Sequence, residues 1–137
     1  MSLSDIARKL VEGNRYCTLA TASLDGKPEA ATIQYASKDF ELYFETMTSY
    51  RKYANLRMNP QASVVITELP KTLQMDGIVK QLSGNDADGA RQLLVIKLGE
   101  VPTFYRSPDI RFFSFTPTWI RLLTNKGWPP EYETIAP

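Results

Sequence analysis

Residues Tyr16 to Ile66, YCTLATASLDGKPEAATIQYASKDFELYFETMTSYRKYANLRMNPQASVVI, hold the alternation that decides the fold. Tyr16 to Ala22 reads as a short strand, Asp25-Gly26 as a hairpin turn, and Pro28 to Ala36 as a second strand with Ala31, Ile33 and Tyr35 on one face. Pro28 is tolerated because the first position of a strand need not donate a ladder hydrogen bond. Ser37-Lys38-Asp39 predicts a polar turn into a third strand, Phe40 to Thr46, where Phe40, Leu42 and Phe44 alternate with Glu41, Tyr43 and Glu45. A helix from Tyr50 to Met58 follows, with Ser49 or Thr48 expected as its N-cap and Pro60 forbidding its continuation. Alternation resumes in Ala62, Val64 and Ile66, a fourth strand that ends at Leu69-Pro70.

The period changes on either side of this block. Before it, Ser2 to Gly13 reads as an amphipathic helix: Ser2 and Asp5 have capping-box spacing, and Leu3, Ile6, Ala7, Leu10 and Val11 form one apolar stripe. After it, Thr72 to Leu82 reads as a strand interrupted at Asp76-Gly77 by a bulge. A cap at Ser83 to Asp86 leads into a helix whose Ala87, Ala90, Leu94 and Leu98 share a side, closed by Gly99. Val101 to Asp109 reads as irregular, Ile110 to Phe115 and Thr118 to Leu123 as two strands bent at Thr116-Pro117, and the tail from Thr124, with Pro129, Pro130 and Pro137, as aperiodic. The expectation is a mainly β domain with flanking helices. Connections between the first strands are too short for parallel crossovers, so an antiparallel β-barrel of about six or seven strands follows, in one domain spanning residues 1–137.

Composition narrows the chemistry. Sixteen basic against fifteen acidic residues, with no Lys or Arg run, argue against nucleic acid as a partner. No apolar run approaches the roughly 20 residues needed to span a bilayer. The lone Cys17 and the polar N-terminus (Ser4, Asp5, Arg8, Lys9) predict a cytoplasmic protein without internal disulfides. Cys17 sits in phase with Leu19 and reads as a small buried hydrophobe. The absence of histidine excludes Ser-His-Asp and Cys-His nucleophile systems, and no metal site is expected. Any hard chemistry must then reside in a cofactor.

The junction from Phe44 to Pro60 is the candidate site. Hydroxyls at Thr46, Thr48 and Ser49 and the cations Arg51 and Lys52 cluster where a strand hands over to a helix, a setting suited to an anion such as phosphate. An ordinary solvated helix face would account for Arg51-Lys52 alone.

In this order and spacing, Tyr16 to Ile66 resembles the core of the pyridoxamine 5'-phosphate oxidase-like family of FMN-binding split β-barrels, and FFSFTPTWIRLL, residues 112–123, is similar to the family's late strands. The resemblance implies a split barrel that forms a homodimer, with FMN in a groove between subunits. It implies that Thr46, Arg51 and Lys52, with Ser49 as a further hydroxyl, grip the FMN phosphate. By the same resemblance, Ala31, Thr32, Ile33 and Gln34 run along the flavin and Trp119 reaches the flavin of the partner subunit. Genuine pyridoxamine 5'-phosphate oxidases carry an arginine and a histidine in a C-terminal segment, whereas this chain ends in GWPPEYETIAP and has no histidine. A small general-stress or flavin-binding relative is therefore the closer comparison. The readings that remain are an FMN-dependent oxidoreductase of a small molecule, a flavin carrier, scavenger or sensor without turnover, a relative holding deazaflavin or haem, and a cofactor-free barrel; for haem the usual histidine ligand is missing.

Overall fold

A computed structural model describes residues 1–124, 127–129 and 132–137. The N-terminal helix α1 (Leu3–Gly13) starts as its capping box dictates: the Ser2 hydroxyl accepts from the Asp5 amide and the Asp5 carboxylate accepts from the Ser2 amide. Its stripe of Ala7, Leu10 and Val11 is fully buried in the main core. β1 (Tyr16–Ala22) and β2 (Pro28–Gln34) form the expected hairpin. The second strand stops earlier than its alternation suggests, and Ala36–Lys38 form a separate short strand, β3, that pairs with β4 (Glu41–Met47). The turn between them is therefore at Asp39-Phe40 rather than across Ser37 to Asp39, and Asp39 adopts a positive φ of 58°, a conformation Asp tolerates better than most residues.

α2 (Arg51–Met58) begins one residue later than expected, and its N-cap is Tyr50, with no side-chain capping bond. The expected cap at Ser49 or Thr48 is thus corrected: these residues belong to the turn after β4, where the Thr48 amide donates to the Asp109 carbonyl. β5 (Gln61–Glu68) and β6 (Lys71–Gln81) form a long hairpin, and the register of β6 against β7 shifts between Asp76 and Gly77, the expected bulge. Gly77 is required there, since a Cβ would lie 2.5 Å from the Thr116 carbonyl oxygen and 2.7 Å from the Phe115 ring. α3 (Gly84–Leu98) ends at Gly99 in the left-handed conformation, and a short 3₁₀ turn occupies Thr103–Arg106.

Two expectations for the C-terminal part are overturned. Ile110 to Leu123 is one continuous strand, β7, because its pairing with β6 resumes across Thr116-Pro117. The tail contributes β8 (Tyr132–Ile135), which pairs with β7 and buries Ile135 although the sequence shows no periodicity; Pro130 lies outside the described residues.

The sheet runs β2-β1-β5-β6-β7-β4-β3, antiparallel throughout, with β8 added to β7. This is a curled, mainly β split barrel of seven strands with an eighth appended, close to the expected six or seven. Leu19, Leu42, Phe44, Leu73, Met75, Phe115, Ile120 and Leu122 fill its interior, Phe44 and Phe113 stacking at 5.3 Å. α3 covers the outside, burying Ala90 and Leu94 against Tyr105 and Phe112. Chain order carries β2 at one edge of the sheet into β3 at the other, so the two edges meet at a seam.

Candidate functional site

The seam holds a cavity of about 290 Å³ lined by Thr32, Ile33 and Gln34 of β2, Glu45, Thr46 and Met47 of β4, Tyr50 and Lys52 at the start of α2, and Phe104. Two features give it chemical character. β4 buries Leu42 and Phe44 on its inner face, and the next residue in phase is Thr46, only 3% exposed. A threonine there continues the apolar row but brings a hydroxyl with it. Its Oγ1 is buried without a hydrogen-bond partner among the described residues, which costs about 1–3 kcal/mol for a polar group taken out of water. The second feature is Lys52, whose ammonium lies 4.9 Å from the centre of the Tyr50 ring and whose chain lines the same cavity. Together they offer a hydroxyl donor and a cation to one small volume.

β2 adds a third element. It pairs with β1 alone among the described strands, so the outer row of its amides and carbonyls faces the seam rather than another strand.

Of the residues expected to bind a cofactor, Thr32, Ile33, Gln34, Thr46 and Lys52 come together in this cavity. The others do not line it. Ala31 pairs with Leu19, further along β2. Ser49 is exposed in the turn. Arg51 is 72% exposed, and its Nε stands 3.6 Å from Glu29 Oε2, beside a separate cavity of about 150 Å³. The reason is the helix itself: consecutive side chains diverge by about 100°, so Arg51 and Lys52 cannot share a direction. Trp119 sits opposite Asp76 on the outer sheet face, in a groove with Thr18, Val65 and Arg121, whose guanidinium lies 5.2 Å from its ring.

Glu45, Met47, Tyr50 and Phe104 line the cavity without having been singled out from the sequence. Glu45 looked like the solvent-facing partner in the β4 alternation, but Tyr105 covers it and donates its hydroxyl to Glu45 Oε2 at 3.0 Å. Burial raises the Glu45 carboxyl above the ordinary range, opposed by that hydrogen bond, by its own backbone amide and by the charge of Lys52. Nothing in the local pattern signals this, because Tyr105 comes from sixty residues away. Among the described residues no group of three or more His, Cys, Asp or Glu could hold a metal ion, and no helix is long and apolar enough to cross a membrane. Cys17 is buried and its thiol is pushed up to about 12, chiefly by desolvation, which makes it inert as a nucleophile.

The family model described as pyridoxamine 5'-phosphate oxidase matches residues 3–124. The chain therefore belongs to the pyridoxamine 5'-phosphate oxidase-like family, a grouping wider than the oxidase itself. Solved structures agree on the fold. A haem-binding protein from Mycobacterium smegmatis matches at a TM-score of 0.85 and 17% identity over 99% of this chain. The present chain spans 58% of that protein's length. General Stress Protein 26 from Bacillus anthracis matches at a TM-score of 0.76 and 20% identity, over 98% of this chain and 100% of that one. A putative pyridoxamine 5'-phosphate oxidase from Listeria innocua matches at a TM-score of 0.76 and 19% identity, over 90% and 99%. No curated protein matches by sequence. Proteins of this fold commonly form dimers.

Proposed function

We propose that the seam cavity holds the phosphate end of FMN and that the protein is an FMN-binding oxidoreductase of a small molecule, working as a homodimer in the cytoplasm. The observation that carries this reading is the Thr46 hydroxyl, buried without a partner among the described residues in a cavity that Lys52 also lines. The fold does not need that hydroxyl, and a phosphate oxygen would satisfy it. The residues fit the group in two further respects. The free edge of β2 at Thr32 to Gln34 offers backbone donors and acceptors to the edge of a planar heterocycle, with Ala31 continuing the strand. Ser49 in the neighbouring turn and Arg51, once turned from Glu29, would add a hydroxyl and a second positive charge near the anion.

FMN, when bound, supplies hydride or electron transfer. Thr46 and Lys52 would hold the phosphate, the free edge of β2 would meet the ring, and Phe104 and Tyr50 would add aromatic surface to the site. In the dimer, Trp119 of one subunit would approach the flavin of the other, which accounts for its position on an outer sheet face away from its own cavity.

A carrier or sensor without turnover uses the same site, and adding NADH or NADPH to the FMN-loaded protein separates the two. Bleaching of the flavin followed by reoxidation with a small acceptor supports the enzyme; a flavin that binds but is never reduced supports the carrier. The names of some structural neighbours, a haem-binding protein and an F420 reductase among them, make haem and deazaflavin the ligands to test beside FMN. The lack of any histidine weighs against haem. Titration with FMN, followed by quenching of flavin fluorescence, tests the reading; absence of quenching at any attainable concentration would overturn it.

A further inference from the structure

The seam cavity contains a carboxylate as well as a cation. Glu45 lines it along with Thr46 and Lys52, and it is held in place from behind, because the Tyr105 hydroxyl donates to its Oε2 at 3.0 Å. The charged and titratable groups around it are few. Lys52 of α2 acts on it through space, and Tyr105 of the 3₁₀ turn bonds it. Arg91 of α3 stands behind Tyr105, its guanidinium 5.3 Å from the ring and its Nη1 donating to the Tyr105 carbonyl. Across the sheet Glu45 pairs with Phe112, which has no charge. Among the described residues, Lys52 is thus the one cation that lines the cavity.

A phosphate monoester entering about 290 Å³ that already holds a carboxylate meets a like charge at short range in a partly dry site. One lysine cannot neutralise both. We propose that Glu45 makes the cavity a proton-coupled phosphate site: the carboxyl takes up one proton as the phosphate enters, and the protonated acid then donates to a phosphate oxygen. Tyr105 is suited to this arrangement. Burial pushes its phenol further above the neutral range, so it stays a donor in both states and keeps Glu45 aimed at the ligand. Burial likewise raises the free carboxyl above its ordinary value before any ligand arrives, which favours uptake of a proton.

This inference rests on the FMN reading and adds a control by pH to it. FMN affinity is measured by fluorescence quenching from about pH 5 to about pH 8, above the ordinary carboxylate value of about 4.3, for the unaltered chain and for Glu45→Gln. The phosphate of FMN titrates in the same range, but equally for both proteins, so the ratio of the two dissociation constants isolates Glu45. That ratio should be close to one in acid and grow in favour of Glu45→Gln by up to about tenfold per pH unit above the carboxyl's own pKa, the slope of one linked proton. Calorimetry in buffers of different ionisation enthalpy should find about one more proton taken up per FMN by the unaltered chain than by Glu45→Gln. Tyr105→Phe gives an independent check: losing a bond that favours the carboxylate moves the onset of the pH dependence to higher pH. A constant ratio with equal proton uptake overturns the inference and leaves the FMN reading intact. Failure of FMN to bind either protein at any pH overturns both.

Discussion

Replacing Thr46 with valine separates a binding role from a packing role, because the two predict effects of opposite sign. Valine has the shape and β-branching of threonine and fits the inner row of β4 next to Phe44, so the volume of the core is unchanged. What disappears is a buried hydroxyl with no partner among the described residues. Leaving such a group unpaired costs about 1–3 kcal/mol, so the ligand-free protein should gain about 1 kcal/mol or more. For a chain of 137 residues that is roughly 3–5 °C in Tm. Binding should move the other way. A hydroxyl donating to a phosphate oxygen contributes about 1.5–3 kcal/mol, so the variant should bind FMN roughly ten- to hundredfold more weakly. Thermal unfolding without ligand and flavin fluorescence titration read the two effects separately. A variant less stable than the parent, with unchanged FMN affinity, would refute the claim that Thr46 is kept for the ligand.

The two cations should prove unequal. Lys52→Ala should weaken FMN by about 1.5–3 kcal/mol and Arg51→Ala by less, since Arg51 is exposed and stands against Glu29. Titration at low salt decides, and a larger effect from Arg51 would move the anion to the Glu29 side. Gly77→Ala should destabilise the fold by about 1–3 kcal/mol or more, because the new Cβ meets the Thr116 carbonyl and the Phe115 ring; an unchanged urea midpoint would contradict the close approach. Glu45→Gln should be at least as stable as the parent at neutral pH. The folded-state pKa of Glu45 is raised, so its contribution to stability is present below its unfolded pKa and lost as pH rises through the folded one. Denaturation curves at several pH values should therefore show the advantage of glutamine shrinking towards acid, and an advantage that grows there would reverse the sign.

Much of the fold could be read from local pattern. The alternation of Cys17 and Leu19, the capping box at Ser2 and Asp5, and the interruption at Asp76-Gly77 each act within a few residues, and each is found where the pattern puts it. Pro117 misled for a physical reason. Proline removes one ladder donor, but the register shift at Asp76/Gly77 re-pairs the strand on both sides of it, so β7 continues. β8 was invisible because its four residues gain order from β7 and not from their own sequence.

The candidate site was legible as a cluster but not as a geometry. Thr46 stood out as one of three hydroxyls, with Thr48 and Ser49, clustered beside Arg51 and Lys52 where a strand hands over to a helix. The divergence of Arg51 and Lys52 follows from helical geometry once the start of α2 is known, and that start is not marked by a capping side chain. Glu45 needed Tyr105, which only the tertiary fold brings near. Phe104 reaches the cavity for the same reason, through a 3₁₀ turn within a segment that reads as irregular.

The central claim is that the cavity between Thr46 and Lys52 takes the phosphate of a flavin, and parallel titration with FMN and riboflavin tests it most directly, since the two differ only in that group. FMN should bind more tightly by at least about tenfold, the worth of one charge-assisted contact. Equal affinities, or binding of neither, would contradict it.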